Sequence, residues 1–234
     1  MRPRLVSLAG LLLGLLLAGA MLGGCGGGSS GNGIASKTPA EIVAAAKSAA
    51  DGAATVHVAG SITNEGKPLS IDMKLLRGRG GQGRITLQGL AIDLIRVDRI
   101  VYINGSAAFY RRVAGPTAAQ LLQGKWLKVP ASSGDFSSLA SLTDLGKLLD
   151  TTLAAHGTLA RGGTSTVDGQ KVVAVNDVSK GGTLYVAATG SPYPVAVVRR
   201  GASPGRIAFD RWNKPVSLAA PASSININQL RRGH

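Results

Sequence analysis

Few side chains in this 234-residue sequence are of a type and spacing that could do chemistry. Histidine occurs three times, at His57, His156 and His234, and no second ligand type stands near any of them at metal-ligand spacing. His57 falls in an alternating stretch, where a satisfied structural histidine is the commoner case, and His234 is terminal. Of twelve acids only Glu41 and Glu65 are glutamates, and most fall on outward strand positions or turns. No nucleophile–base constellation is recognised, and no G-x-S-x-G elbow is expected. Gly78-Arg79-Gly80-Gly81-Gln82-Gly83 matches G-x-G-x-x-G by letter. That fingerprint needs a helix starting at the loop, so that its N-terminus can hold a pyrophosphate. An alternating stretch, Arg84 to Gln88, follows instead, and the glycines read as a flexible hairpin loop. These observations imply no enzyme, no metal and no cofactor.

The one remaining reactive side chain is Cys25, the only cysteine. Arg2 and Arg4 precede a run from Leu5 to Leu22 in which Ser7 is the sole polar residue, and the run ends in Leu22-Gly23-Gly24-Cys25. A positive start, an apolar middle and small residues before a fixed point make an export signal. The end of the run resembles a bacterial lipobox, with Gly23 where Ala, Ser or Thr is commoner. A single transmembrane anchor is the competing reading, since about 18 apolar residues just span a bilayer. The glycines and the abrupt change after Cys25 favour the lipobox. One cysteine forms no internal disulfide, and lipidation accounts for its presence in an exported chain. The expected organisation is a signal peptide over 1–24, then lipidated Cys25 with a flexible Gly/Ser tether over 25–37. A domain follows over 38–234, on the outer face of the cytoplasmic membrane. Two acyl chains, at about 0.8 kcal/mol per buried methylene, make a stable anchor.

Removing residues 1–24 leaves 210, enough for one domain with a real core. The formal charge is +14, to which Arg2 and Arg4 contribute two. The basic residues are scattered over expected hairpin ends, among them Arg77, Arg79, Arg96, Arg99, Arg111, Arg112, Arg199, Arg200, Arg231 and Arg232. Neither a basic helix nor a run of stacking aromatics is present, so nucleic acid is not the expected partner. Near an anionic membrane or cell-wall polymer such residues contribute about 1 kcal/mol each.

The folded part opens with Thr38-Pro39-Ala40-Glu41, an N-cap, a proline at the first helical position and a capping-box acid. The helix is expected to run to about Asp51, burying Ile42, Val43, Ala46 and Ala50, with Gly52 ending it. From residue 54 the period changes to two. Strands are expected over 55–63, 69–75, 84–88, 91–97, 100–104, 125–129, 157–161, 164–167, 171–177, 183–188, 195–200 and 206–212, separated by Gly, Pro, Asn and Asp turns. A short helix is expected over 116–123 and one long helix over 136–153, with Phe136, Leu139, Leu142, Leu145, Leu148, Leu149 and Leu153 on its buried face. The class is α+β: roughly ten antiparallel strands and two or three helices. A sheet of that width must curl, and so few helices cover it incompletely. A cavity or groove is the expected remainder.

Several short segments occur in a telling order: the lipobox and glycine tether; the capped first helix; Asp93-Leu94-Ile95-Arg96-Val97 with Val101-Tyr102-Ile103-Asn104-Gly105; Gly124-Lys125-Trp126-Leu127-Lys128-Val129; Val167-Asp168-Gly169; Leu184-Tyr185-Val186 with Tyr193-Pro194-Val195; and Phe209-Asp210-Arg211-Trp212-Asn213-Lys214-Pro215-Val216. In this order the chain resembles actinobacterial lipoproteins of the LppX/LprG type, relatives in fold of the LolA and LolB carriers. The resemblance implies a curved antiparallel half-barrel with helices on its concave face, and acylated lipids or glycolipids lodged between sheet and helices. It carries over no catalytic residue.

Two functions of different class follow. The first is a membrane-anchored carrier of acylated lipids, working with a membrane transporter partner the residues do not identify. Its expected cavity wall is Ile71, Met73, Leu75, Ile85, Leu87, Leu94, Val101 and Ile103, faced by Leu139, Leu142 and Leu149. For any one of these an ordinary core role is the plainer alternative. The second is a non-catalytic cell-envelope interaction module that uses its basic surface without lipid transport.

Overall fold

The structure, a computed structural model, describes residues 31–64, 66–134, 137–154, 156–201 and 203–227. The signal segment, Cys25, Glu65, Phe136, Arg231, Arg232 and His234 lie outside them.

Twelve strands form one unclosed sheet. An N-terminal meander supplies β1 (Thr55–Asn64), β2 (Lys67–Leu76), β3 (Gly80–Leu87), β4 (Leu90–Val97) and β5 (Ile100–Gly105). A C-terminal meander supplies β7 (Leu159–Val167), β8 (Gln170–Asp177), β9 (Gly182–Ala187), β10 (Pro194–Arg199) and β11 (Gly205–Asp210). The two meanders meet where β1 pairs antiparallel with β11, His57 opposite Asp210 and Ile62 opposite Gly205. Strands β6 (Leu127–Pro130) and β12 (Ile225–Asn226) extend the edge beyond β5, β12 running parallel to β6. All pairings except that last one are antiparallel, which the period-two alternation requires of strands with one buried face.

Local chemistry explains most boundaries. Gln88-Gly89 and Asp168-Gly169 close two-residue hairpins with positive φ at both positions, the handedness that matches strand twist. Helix α1 (Pro39–Asp51) starts in the expected capping box: Glu41 N–H donates to Thr38 Oγ1 at 3.4 Å, and Thr38 N–H donates to Glu41 Oε2 at 2.8 Å. The Thr38 hydroxyl, donating to Glu41 Oε2 at 2.7 Å, and the Thr38 N–H together hold the Glu41 carboxyl below its usual range. Ile42, Val43, Ala46 and Ala50 are buried, as their spacing predicts.

Five expectations need correction. The glycines from Gly80 onward are not a loop but the start of β3, packed so closely on β2 that a Cβ on Gly83 would lie 1.9 Å from the Asp72 carbonyl oxygen. Gly162-Gly163 is not a turn between two strands but a bulge within β7, marked by the register shift between Arg161 and Thr164. The long helix is two, α3 (Ser137–Leu142) and α4 (Leu145–Ala154): Asp144 Oδ1 accepts from Lys147 N–H at 3.1 Å and caps α4 before α3 can run through. The short helix expected over 116–123 is present but is preceded by an unforeseen one: α2 (Ala107–Leu122) is two helical pieces separated at Gly115 with φ 87°, the first capped by Ser106, whose Oγ accepts from Phe109 N–H. Arg111 and Arg112 therefore ride on a helix, not on hairpin ends.

The fifth correction is at the tether. Asn32 is already docked, its N–H donating to the Ala188 carbonyl and its side-chain amide to the Ala187 and Gly190 carbonyls. A 3-10 turn (Ile34–Ser36) follows, with Ile34 only 2% exposed. The Arg161 guanidinium donates to the carbonyls of Ala35 and Lys37. Burial of Ile34 and these bonds outweigh the polar composition that suggested a free linker.

Candidate apolar cavity

The helix-covered face of the sheet divides in two. Over β2–β5 it is packed solid. Met73, Leu75, Ile85, Leu94, Val101, Ile103 and Leu149 are each at most 2% exposed and form one cluster with Val56, Val58 and Phe209. Ile71, Leu139 and Leu142 are half-buried against the same cluster, and Leu87 is 44% exposed at the end of β3. None of these eleven expected wall residues lines the apolar cavity described next: ten are packed in or against the core cluster, and Leu87 stands exposed. Helices α3 and α4 press leucines onto this half.

The space lies on the other half, between α1, the end of α4 and strands β1 and β7–β11. It is a cavity of about 420 Å³, within the 300–1,000 Å³ range of small-molecule sites. Its walls are Ile62, Val175, Leu184, Val197 and Ile207 from the strands, with Val43 and Leu153 from the helices. Helix α1 buries Ile42, Val43, Ala46 and Ala50, two of them alanines, and so fills less volume than α4, which buries Leu145, Leu149 and Leu153. These wall residues are strand and helix positions that the alternation identifies; what the sequence did not carry was which half of the sheet the alanine-rich helix would cover.

The cavity opens at the end of the sheet where β8 and β10 finish and β9 and β11 begin. The charged groups and the imidazole gather there: His156, Asp177, Lys180 and Arg199; Thr152 and Thr183 also line the cavity, their hydroxyls donating to the Leu148 carbonyl and to Asn176 Oδ1. Asp177 is committed to the backbone. Its Oδ2 accepts from Gly157 N–H at 2.7 Å, and its Oδ1 accepts from Ser179 N–H, Ser179 Oγ–H and Lys180 N–H at 2.8–3.1 Å. Those bonds, Gly157 foremost, pull its pKa down to about 2. Among the described residues no buried side-chain polar atom lacks a partner, so the deeper wall offers contact area and no directional anchor.

Elsewhere the surface carries other features of little chemistry. A broader hollow of about 600 Å³ on the opposite face is lined by Asp72, Lys74, Gln82, Arg84 and Asp93. Arg84 Nε donates to Asp93 Oδ1 at 2.7 Å across it, and it is an open, charged depression. His57 is satisfied as expected: Nε2 lies 2.9 Å from Asp72 Oδ1 and Nδ1 2.5 Å from Asp210 Oδ1. Contrary to the expectation that no G-x-S-x-G is present, Gly201-Ala202-Ser203-Pro204-Gly205 matches it by letter. It joins β10 to β11, two strands, and so lacks the strand-to-helix elbow that exposes a nucleophile. Among the described residues no group of three or more metal-binding side chains occurs, and no helix is long and apolar enough to cross a membrane.

No protein-family model matches the sequence, and no curated protein matches it. Solved structures do. LprF from Mycobacterium bovis is similar with a TM-score of 0.56 at 17% identity, over 79% of this chain and 97% of that one. The lipoprotein LppX from Mycobacterium tuberculosis gives a TM-score of 0.48 at 18% identity, over 77% of this chain and 98% of that one. At such identities the likeness is one of fold, and the weight rests on the first. With its unclosed curved sheet, its helices on one face and a cavity left between them, the chain has the α+β half-barrel fold of the LppX/LprG-type lipoproteins.

Proposed function

We propose that this protein is an exported lipoprotein, anchored through Cys25 to the outer face of the cytoplasmic membrane, that binds or carries acylated lipids or glycolipids across the cell envelope. The observation that carries the reading is the cavity itself: a mainly apolar wall of strand and helix side chains with its charged groups gathered at one end. An amphiphile has that polarity profile. Leaving a sixteen-carbon chain in water costs on the order of 12 kcal/mol at about 0.8 per methylene, so burial sets affinity and the rim selects the head. The mouth has a second fitting feature. Val178, a large apolar side chain, stands exposed directly after the end of β8, next to rim residue Asp177. It would ease passage of a chain between a bilayer and the cavity.

Native mass spectrometry of protein purified without detergent tests the proposal. A lipid adduct, as isolated or after incubation with lipid, is expected. Apo protein alone after incubation overturns it.

A further inference from the structure

We infer that the cavity takes amphiphiles with a single alkyl chain and an anionic head, the head docking on Arg199. This deepens the lipid-binding reading and rests on it.

The chain number follows from space. A cavity of about 420 Å³ has room for about fourteen groups of water size, at about 30 Å³ each. That is one long acyl chain. A second would need the walls to part, and the walls are anchored. On one flank stand Val58, Leu149 and Phe209, each at most 1% exposed. On the other stand Ile42, Val173 and Val186, packed with Ile34 as a second buried cluster. Close-packed side chains of this kind resist displacement.

The charge follows from the rim. Its two basic side chains, Lys180 and Arg199, stand beside one acid, Asp177, and the oxygens of that acid are taken up by four donors from residues 157, 179 and 180. Arg199 is the last residue of β10, exposed, on the same side of the strand as wall residue Val197, and its guanidinium has no hydrogen bond or ion pair within the described protein. A guanidinium at the lip of an apolar cavity binds carboxylate or phosphate through two parallel hydrogen bonds and keeps its charge at any relevant pH. A fatty-acid carboxylate and a lysophospholipid phosphate share that chemistry.

Detergent-free full-length protein is to be incubated in parallel with palmitate, lysophosphatidylglycerol, the uncharged monopalmitoylglycerol and dipalmitoyl phosphatidylglycerol, and adducts read by native mass spectrometry. One-to-one adducts with palmitate, lysophosphatidylglycerol or both are expected, and which of the two binds identifies the head. Monopalmitoylglycerol, which has one chain and no anion, should bind about tenfold more weakly, the worth of one charge-assisted contact, and the two-chain lipid should give no adduct. Arg199→Gln, a change at an exposed side chain, should weaken the palmitate and lysophosphatidylglycerol adducts about tenfold and bring them level with monopalmitoylglycerol. Equal binding of monopalmitoylglycerol, a two-chain adduct, or an unchanged preference in Arg199→Gln overturns the inference while lipid binding stands. No adduct with any of the four overturns lipid binding itself.

Discussion

Asp177 holds the mouth of the cavity together, tying Gly157 at the start of β7 to the turn at Ser179 and Lys180. Because its folded pKa is lowered to about 2 against about 3.9 in an unfolded chain, its contribution to stability is complete above the unfolded value. It is lost as pH falls through the folded one. Thermal melts of wild type and Asp177→Asn between pH 6 and pH 2 should differ most at the upper end and converge toward pH 2. A gap that stays constant with pH would show that the ionised carboxylate is not what holds the turn. Nothing in the sequence near Asp177 announces this role, since one of its strongest partners, Gly157, lies twenty residues away across a strand. His57 was more legible: strand alternation predicts a satisfied histidine there, though not that Asp72 and Asp210 would be the partners.

At the scale of elements, the two halves of the sheet respond differently to the same kind of change. Leu149, fully buried on α4, is core, and Leu149→Ala should cost about 2–5 kcal/mol in chemical denaturation. Leu184 on β9 borders empty space. Leu184→Trp should therefore keep the fold by circular dichroism while abolishing the lipid adduct in native mass spectrometry; an undiminished adduct would place the ligand elsewhere. Gly83 on β3 is a third kind of position. With the Asp72 carbonyl 1.9 Å from where its Cβ would stand, Gly83→Ala should cost at least about 2 kcal/mol by forcing β2 and β3 apart. Alternation and turn residues made nearly every strand readable. They did not show that Gly80 to Gly83 belong to one, because a glycine run reads as a loop until its close backbone neighbours are known. The break between α3 and α4 had a local sign in Asp144, a good N-cap, obscured by leucines whose spacing runs on across it.

For the whole molecule, the proposed anchor at Cys25 lies outside the described residues, and the chain is docked on the domain by Asn32, seven positions further on. Cys25→Ala should yield unprocessed or released protein on membrane fractionation; processing and membrane retention as in wild type would remove the lipid anchor from the proposal. The basic surface supplies the rival function, and salt separates them. Attachment through scattered exposed cations collapses as the screening length falls from about 10 Å at 0.1 M to about 3 Å at 1 M, whereas an acyl chain in the cavity persists. A lipid adduct lost over that range would favour the interaction module.

By itself the sequence determined what short-range chemistry determines: the capped first helix, the strand-by-strand alternation, the turns, and with them an α+β sheet wider than its helices. Only the tertiary structure decided where the uncovered part falls. That depends on β1 closing against β11 across most of the chain, on an alanine-rich helix settling over one half, and on leucine-bearing helices settling over the other. An inward-facing leucine looks the same in sequence whether its neighbour is another side chain or a void, because the difference is made by residues far away along the chain.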